Sequence, residues 1–228
     1  MTGEELEFAM YFGLSEEQLV IFKEIKEYFE SYPELKTGNS IFAFEGLGDY
    51  TGGKNKYHLD GQYGAIFVYC KDGELNFLTT QASTLPDNKS SAVIQDGIFN
   101  AIWFNHKGYS ALQLRDFDNL NIGDLPALRN NNSSTADGID LHSADNLTST
   151  SNYSAGCLTI SCIDYYYFGV EADFITEFDG EGDFENFNWQ RNNLKTSPDK
   201  VGQEWGHVIV DRQFMSEKNW GLYFNEYK

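Results

Sequence analysis

The chain is short of cations. It has 16 Lys and Arg against 35 Asp and Glu in 228 residues, a formal net charge of −19 and an isoelectric point near 4.4. So acidic a surface repels phosphate backbones and anionic lipid, and nucleic-acid binding through a basic face is not expected. No apolar run approaches membrane-spanning length, so no membrane insertion is expected either. The opening residues, Met1-Thr2-Gly3-Glu4-Glu5-Leu6-Glu7, lack a basic segment followed by an apolar one, and no secretory signal is read there. Cysteine is scarce: Cys70, Cys157 and Cys162 are odd in number and form no C-x-x-C pair. That spacing excludes a disulfide framework and a zinc ribbon. H-E-x-x-H spacing is also missing, so the expectation is no metal and no cofactor. Neither an internal repeat nor a parallel β-α-β rhythm is visible.

What is present is a globular composition, 41% hydrophobic and 16% aromatic, enough for one sizeable core. Residues 15–31 read as a helix. Ser15 is a good N-cap with Gln18 three residues on, Ile21, Phe22, Ile25, Tyr28 and Phe29 recur at helical spacing, and Pro33 stops the run. Residues 1–38 are therefore expected to form an N-terminal helical appendage, and residues 39–228 the main domain. From residue 39 the period changes to two. Residues 41–44, 63–70, 75–79, 98–104, 109–114, 139–142, 157–163, 165–170, 207–210 and 220–224 read as short strands. Turn signals at Asp72-Gly73, Pro86-Asp87-Asn88, Lys107-Gly108 and Asp179-Gly180 separate several of them. The expected fold class is mainly β, an antiparallel β-sandwich or barrel-like domain. Two apolar-poor stretches, Arg129 to Asp137 and Ser143 to Tyr153, read as loops, the usual seat of binding determinants.

The most informative pattern is Gly138-Ile139-Asp140-Leu141-His142, then a polar stretch, then Ser154-Ala155-Gly156-Cys157-Leu158-Thr159-Ile160. A histidine closes one alternating run and a cysteine opens the next, so a strand–loop–strand can bring imidazole and thiol together. A thiol needs such a base to act as a nucleophile, and a paired Cys157 is expected to hold more thiolate near neutral pH than Cys70 or Cys162. The small-Gly-Cys turn offers backbone N–H groups where an oxyanion would form, with Gly156 permitting close approach of the chain. Asp140 lies two residues before His142 on the same strand face and can orient the imidazole; a backbone carbonyl can serve equally. Ser154 can cap the turn. His106, in the polar turn Asn105-His106-Lys107-Gly108, either lines the same cleft or is a surface turn residue.

The pattern His142…Ser154-x-Gly156-Cys157 resembles the signature of the L,D-transpeptidase catalytic domain, a cysteine-dependent family acting on bacterial peptidoglycan. Asn105 to Leu112 is also similar to a segment that precedes the histidine in divergent members. The resemblance spans about residues 40–212, with its specificity in the His and Ser-x-Gly-Cys pieces. Two departures stand out: Ser143 replaces the glycine that usually follows the histidine, and Leu158-Thr159 replaces the Ile-Arg that usually follows the cysteine. The resemblance implies attack by Cys157 on a stem-peptide amide to give a thioester, with His142 as general base and Asp140 and Gly156 in supporting roles. It implies Ser154, His106 and Ser143 as substrate-binding residues, peptidoglycan stem peptides as substrate, and hydrolysis or cross-linking as outcome. Without a signal, such an enzyme is made in the cytoplasm and reaches the periplasm or cell wall by lysis or delivery, with a phage, an injection system or an immunity protein as partner.

Two other readings compete. The 14 Tyr, 18 Phe and 4 Trp suit a glycan- or wall-binding module, with Tyr165-Tyr166-Tyr167-Phe168, Phe184, Phe187 and Trp189 stacking on sugars, or a structural part of a phage tail or contractile injection device. A zinc site drawn from His106, His142, Cys157 and His207 is the enzymatic competitor, with no supporting ligand spacing.

Overall fold

The structure is a computed structural model that describes residues 37–45, 65–85, 91–129, 132–144, 156–175, 182–183 and 186–211, together with Glu27 and Tyr32. In chain order its elements are β1 (Asn39–Glu45), β2 (Ala65–Lys71), β3 (Glu74–Ser83), β4 (Val93–Ile94), β5 (Gly97–His106), β6 (Tyr109–Asp116), β7 (Leu125–Arg129), β8 (Asn132–Ala136), β9 (Asp140–Ser143), β10 (Leu158–Ile160), α1 (Cys162–Glu171), α2 (Phe187–Asn193) and β11 (Glu204–Val210). Eight strands close into a barrel in the order β1-β11-β5-β6-β9-β10-β3-β2, and β4-β7-β8 form a separate three-stranded sheet.

Local sequence explains the hairpins. Asp72 and Gly73 both have positive φ (50° and 85°), as do Lys107 and Gly108 (46° and 95°). Positive φ at both central residues belongs to the two-residue turn whose twist matches paired strands. The pairs Lys71–Glu74 and His106–Tyr109 flank these turns directly. Most barrel pairs are antiparallel, as the sequence suggests. The exceptions are β1–β11 and β9–β10, which are parallel.

Alternate residues of each strand turn inward. Ile41, Ala43, Ala65, Phe67, Ala82, Ala101, Leu112, Leu114, Leu141, Leu158, Ile160, Val208 and Val210 belong to one buried apolar cluster. Leu112, Leu141 and Leu158 stand side by side across β6, β9 and β10, each contributing roughly 2 kcal/mol by burial.

Residues 165–170 are helical, not extended as the sequence suggests, and the strand expected over 157–163 ends at Ile160. An unbroken aromatic run fits either period, and the cap decides. Ser161 Oγ accepts from the backbone N–H of Asp164, opening α1, whose buried Cys162, Tyr165, Tyr166 and Gly169 fall at helical spacing. The helix packs mainly on β3, beside the rim where β2 ends and β6 and β11 begin. Tyr69 and Phe77 meet Phe168, the Tyr165 hydroxyl donates to the Ser110 carbonyl, and Trp205 Nε1 donates to the Ala172 carbonyl. Cys162 therefore lies in the helix, and Cys157 and Cys162 do not share a strand.

The stretch expected as a loop from Arg129 to Asp137 contributes instead to the β7–β8 hairpin. As an edge strand with only Ala136 buried, β8 shows no apolar alternation to read. The helix expected over 15–31 and the 1–38 appendage, apart from Glu27, Tyr32 and residues 37–38, lie outside the described residues, as do the strand at 220–224 and the turns at Pro86 and Asp179. Among the described residues no helix is long and apolar enough to cross a membrane.

Candidate active site

On the face opposite the barrel interior, β5, β6 and β9 present His106, Tyr109, Gln113, Asp140 and His142, with Thr159 across from His142 on β10. This outward face is nevertheless buried. Exposure is 3% at Asp140, 5% at His142, 8% at Cys157, 1% at Tyr109 and nil at Ser143 and Thr159. Phe187 of α2 packs edge-on against Tyr109 over part of it. Buried polar groups are costly unless partnered, and most of these are partnered by one another.

His142 is held by the chain itself. Its Nδ1 lies 2.7 Å from the Ser143 carbonyl and 3.1 Å from the Tyr109 hydroxyl, which is 3.3 Å from the same carbonyl. A carbonyl can only accept, so Nδ1 carries the proton and Nε2 the lone pair. Of the two orienting groups open in the sequence, the backbone carbonyl is the one in contact. Asp140 instead accepts from His106 Nδ1 at 2.6 Å through Oδ2, and from Gln113 Nε2 at 3.1 Å through Oδ1. Arg115 Nη2 donates in turn to Gln113 Oε1. The rings of His106 and His142 stack nearly parallel, 4.2 Å apart and 6° from coplanar orientation. Burial, and then the neighbouring His106, push the His142 imidazole down to about 3, so it is neutral at ordinary pH.

Cys157 precedes β10 and sits beside Asp140, the parallel register setting Leu158 against Leu141 and Thr159 against His142. The backbone N–H of Asp140 points at its sulfur at 3.5 Å, and Sγ lies 3.8 Å from the Gly138 carbonyl. Burial, and then the Asp140 charge, push the thiol up to about 12. Burial likewise pushes Cys70 up to about 12. The expectation of a thiolate-rich Cys157 is therefore corrected: in this state the sulfur keeps its proton. Gly156 has φ +136°, and a Cβ there would stand 2.8 Å from the Ala92 carbonyl oxygen, so the turn before the cysteine requires glycine.

The remaining candidates divide. His106 belongs to the polar cluster and is no surface turn residue. Ser143 contributes its carbonyl, and its hydroxyl lies 3.4 Å from the Ala144 carbonyl. Ser154 lies outside the described residues. Thr159, where the family resemblance leads one to expect arginine, has a buried hydroxyl with no hydrogen-bond partner among the described residues; Arg115 is the guanidinium on this face. Sequence reading did not single out Tyr109, Gln113 or Arg115. Their even spacing along β6, which puts all three on one face beside the His106 turn, is the available signal. His207 lies on β11 against Phe117. Among the described residues no group of three or more His, Cys, Asp or Glu is arranged to hold a metal ion. Of the aromatics considered for sugar stacking, Tyr165, Tyr166 and Phe168 are core residues, Phe187 and Trp189 are half-buried against it, and Tyr167 is half-exposed.

Comparison with protein-family models, curated proteins and solved structures returned no match.

Proposed function

We propose that this chain is a cysteine-dependent acyl-transfer enzyme of L,D-transpeptidase type acting on peptidoglycan stem peptides, with hydrolysis ahead of cross-linking. The observation that carries the reading is the Nδ1 contact to the Ser143 carbonyl, which leaves Nε2 of His142 as a fixed, unprotonated base on the strand paired in parallel with the one that Cys157 opens. Cys157 attacks the amide carbon, His142 takes the thiol proton, and backbone N–H groups at the Gly156–Cys157 turn stabilise the oxyanion. Because the resting thiol is protonated, proton transfer accompanies attack and is not a prior equilibrium. Neither His142, held down to about 3, nor the thiol, held up at about 12, titrates between those values, so this proton transfer is level across the neutral range.

The buried, protonated Cys157 also favours a second reading, a non-catalytic wall-binding or structural component in which Cys157 is a packing residue. One experiment separates them: incubation of wild-type and Cys157→Ala protein with purified sacculi, followed by mass analysis of the muropeptides and a sacculus pull-down. The enzyme reading expects altered muropeptides from the wild type, a loss of at least about a thousandfold in the variant, and retained folding. Unaltered sacculi with binding undiminished in Cys157→Ala would establish the second reading instead.

A further inference from the structure

Two imidazoles stand at this site, and the reaction above uses one. His106 and His142 stack at 4.2 Å but are held differently: His142 by a neutral carbonyl, His106 by a carboxylate. Asp140 is itself fixed, its second oxygen taken by Gln113, which Arg115 holds in turn. The His106 side chain is 13% exposed against 4% for Asp140, so it is the more open member of that pair. With Nδ1 committed to Asp140, the proton that His106 can exchange is on Nε2. A histidine oriented by a buried carboxylate is built to hold and release a proton.

We propose that His106, held by Asp140, is a second catalytic residue of the thiol site: the acid that protonates the leaving nitrogen while His142 takes the thiol proton. The proposal rests on the acyl-transfer reading of Cys157. In acylation the S–C bond forms and the C–N bond breaks. The thiol proton passes to Nε2 of His142, and the Nε2 proton of imidazolium His106 passes to the departing amine. In deacylation water adds to the thioester carbon and gives a proton to His106. In the same step the C–S bond breaks and the thiolate recovers its proton from His142. One water is consumed, one acid and one amine are released, and both rings return to their starting states.

The stacking distance suits this alternation. Two imidazolium rings 4.2 Å apart would repel strongly in a buried site, and the cycle never requires both to be charged. Each proton gained by one ring is matched by a proton lost from the other. The fixed Asp140 carboxylate balances the single positive charge when it resides on His106, and the low basicity of buried His142 drives its proton onward in the second half-reaction.

The test measures acyl transfer to Cys157 from a series of acetate esters whose leaving groups run from p-nitrophenol through phenol to trifluoroethanol, read by intact mass and peptide mapping. An acid that protonates the leaving atom matters little for p-nitrophenol and greatly for a basic alcohol. His106→Gln, which keeps a donor for Asp140, is expected to acylate with p-nitrophenyl acetate within a few-fold of wild type and to fall by at least about thirtyfold with trifluoroethyl acetate, steepening the dependence on leaving-group basicity. His142→Gln is expected to lower all the rates in parallel. A parallel fall or no fall in His106→Gln, with its thermal unfolding unchanged, would overturn the role of His106 while leaving Cys157 as nucleophile. Failure of every ester to acylate wild-type Cys157 would overturn the acyl-transfer reading and this proposal with it.

Discussion

On β6 and β9, Leu112, Leu114 and Leu141 face the barrel interior while Gln113, Asp140 and His142 face the other way, and both sets are buried. The inner set is held by contacts that are individually weak and have no direction, so many side chains of the right volume would serve. The outer set is held by directed pairs: carbonyl to His142, carboxylate to His106, amide to Asp140, guanidinium to amide. Each pairing there is directed, and removing one member leaves another polar group buried without compensation. A barrel needs only the first arrangement to fold. The second is the kind of feature that marks a site, because stability alone would be as well served by apolar residues.

The sharpest way to break this contrast is acid. In the unfolded chain the imidazole of His142 takes a proton as pH falls through its ordinary value near 6.5, whereas in the folded site burial holds it to about 3. The folded pKa is depressed, so the stability it contributes is present above 6.5 and lost as pH falls toward 3. The amount is on the order of 5 kcal/mol. Denaturant unfolding of wild type and His142→Gln at pH 7, 5 and 4 should show the wild type losing more stability than the variant, since the carboxylates common to both cancel. Equal losses would mean that His142 is not buried neutral.

The inner face should behave otherwise. Leu141→Ala removes a fully buried side chain from the row it shares with Leu112 and Leu158 and should cost about 3 kcal/mol. The same difference from wild type should appear at pH 7 and pH 5. A loss under about 1 kcal/mol, measured by the same unfolding experiment, would mean that the interior row is not packed.

How legible each face is follows from the same contrast. Inner residues announce themselves by period two, and the Asp72-Gly73 and Lys107-Gly108 turns fix where strands end, so five of the eight barrel strands can be read almost at their observed limits. The period fails where both alternations are apolar, as in Tyr165 to Phe168, where the Ser161 cap decides for helix, and where neither is, as in β8. For the outer face, sequence spacing shows that Asp140 and His142 share a side of β9. It cannot show that the β5–β6 turn swings His106 over Asp140, since that pairing spans strands separated by β6. The parallel β9–β10 register that sets Cys157 beside Asp140 is equally silent in the sequence, because the polar stretch between them carries no helical period to announce a parallel crossover.

The smallest expected effect tests which histidine Asp140 serves. Arg115 occupies Gln113 Oε1, so Gln113 must turn its amide hydrogens toward Asp140. In Asp140→Asn a single carbonyl oxygen remains for two donors, His106 Nδ1 and Gln113 Nε2, and the new amide hydrogens face a donor. The cost should be about 1–2 kcal/mol in denaturant unfolding. The effect on Cys157 has the opposite sense to that of removing a base. Burial raises the thiol first and the Asp140 charge adds to it, so removing that charge lowers the thiol pKa and increases the thiolate fraction at a given pH. The backbone N–H of residue 140 still points at the sulfur. Iodoacetamide should therefore alkylate Cys157 a few-fold faster in Asp140→Asn than in wild type, with the residue identified by peptide mapping. Slower alkylation would mean that Asp140 supports the base acting on Cys157, and the separation between the His106–Asp140 and His142–Ser143 pairs would have to be given up.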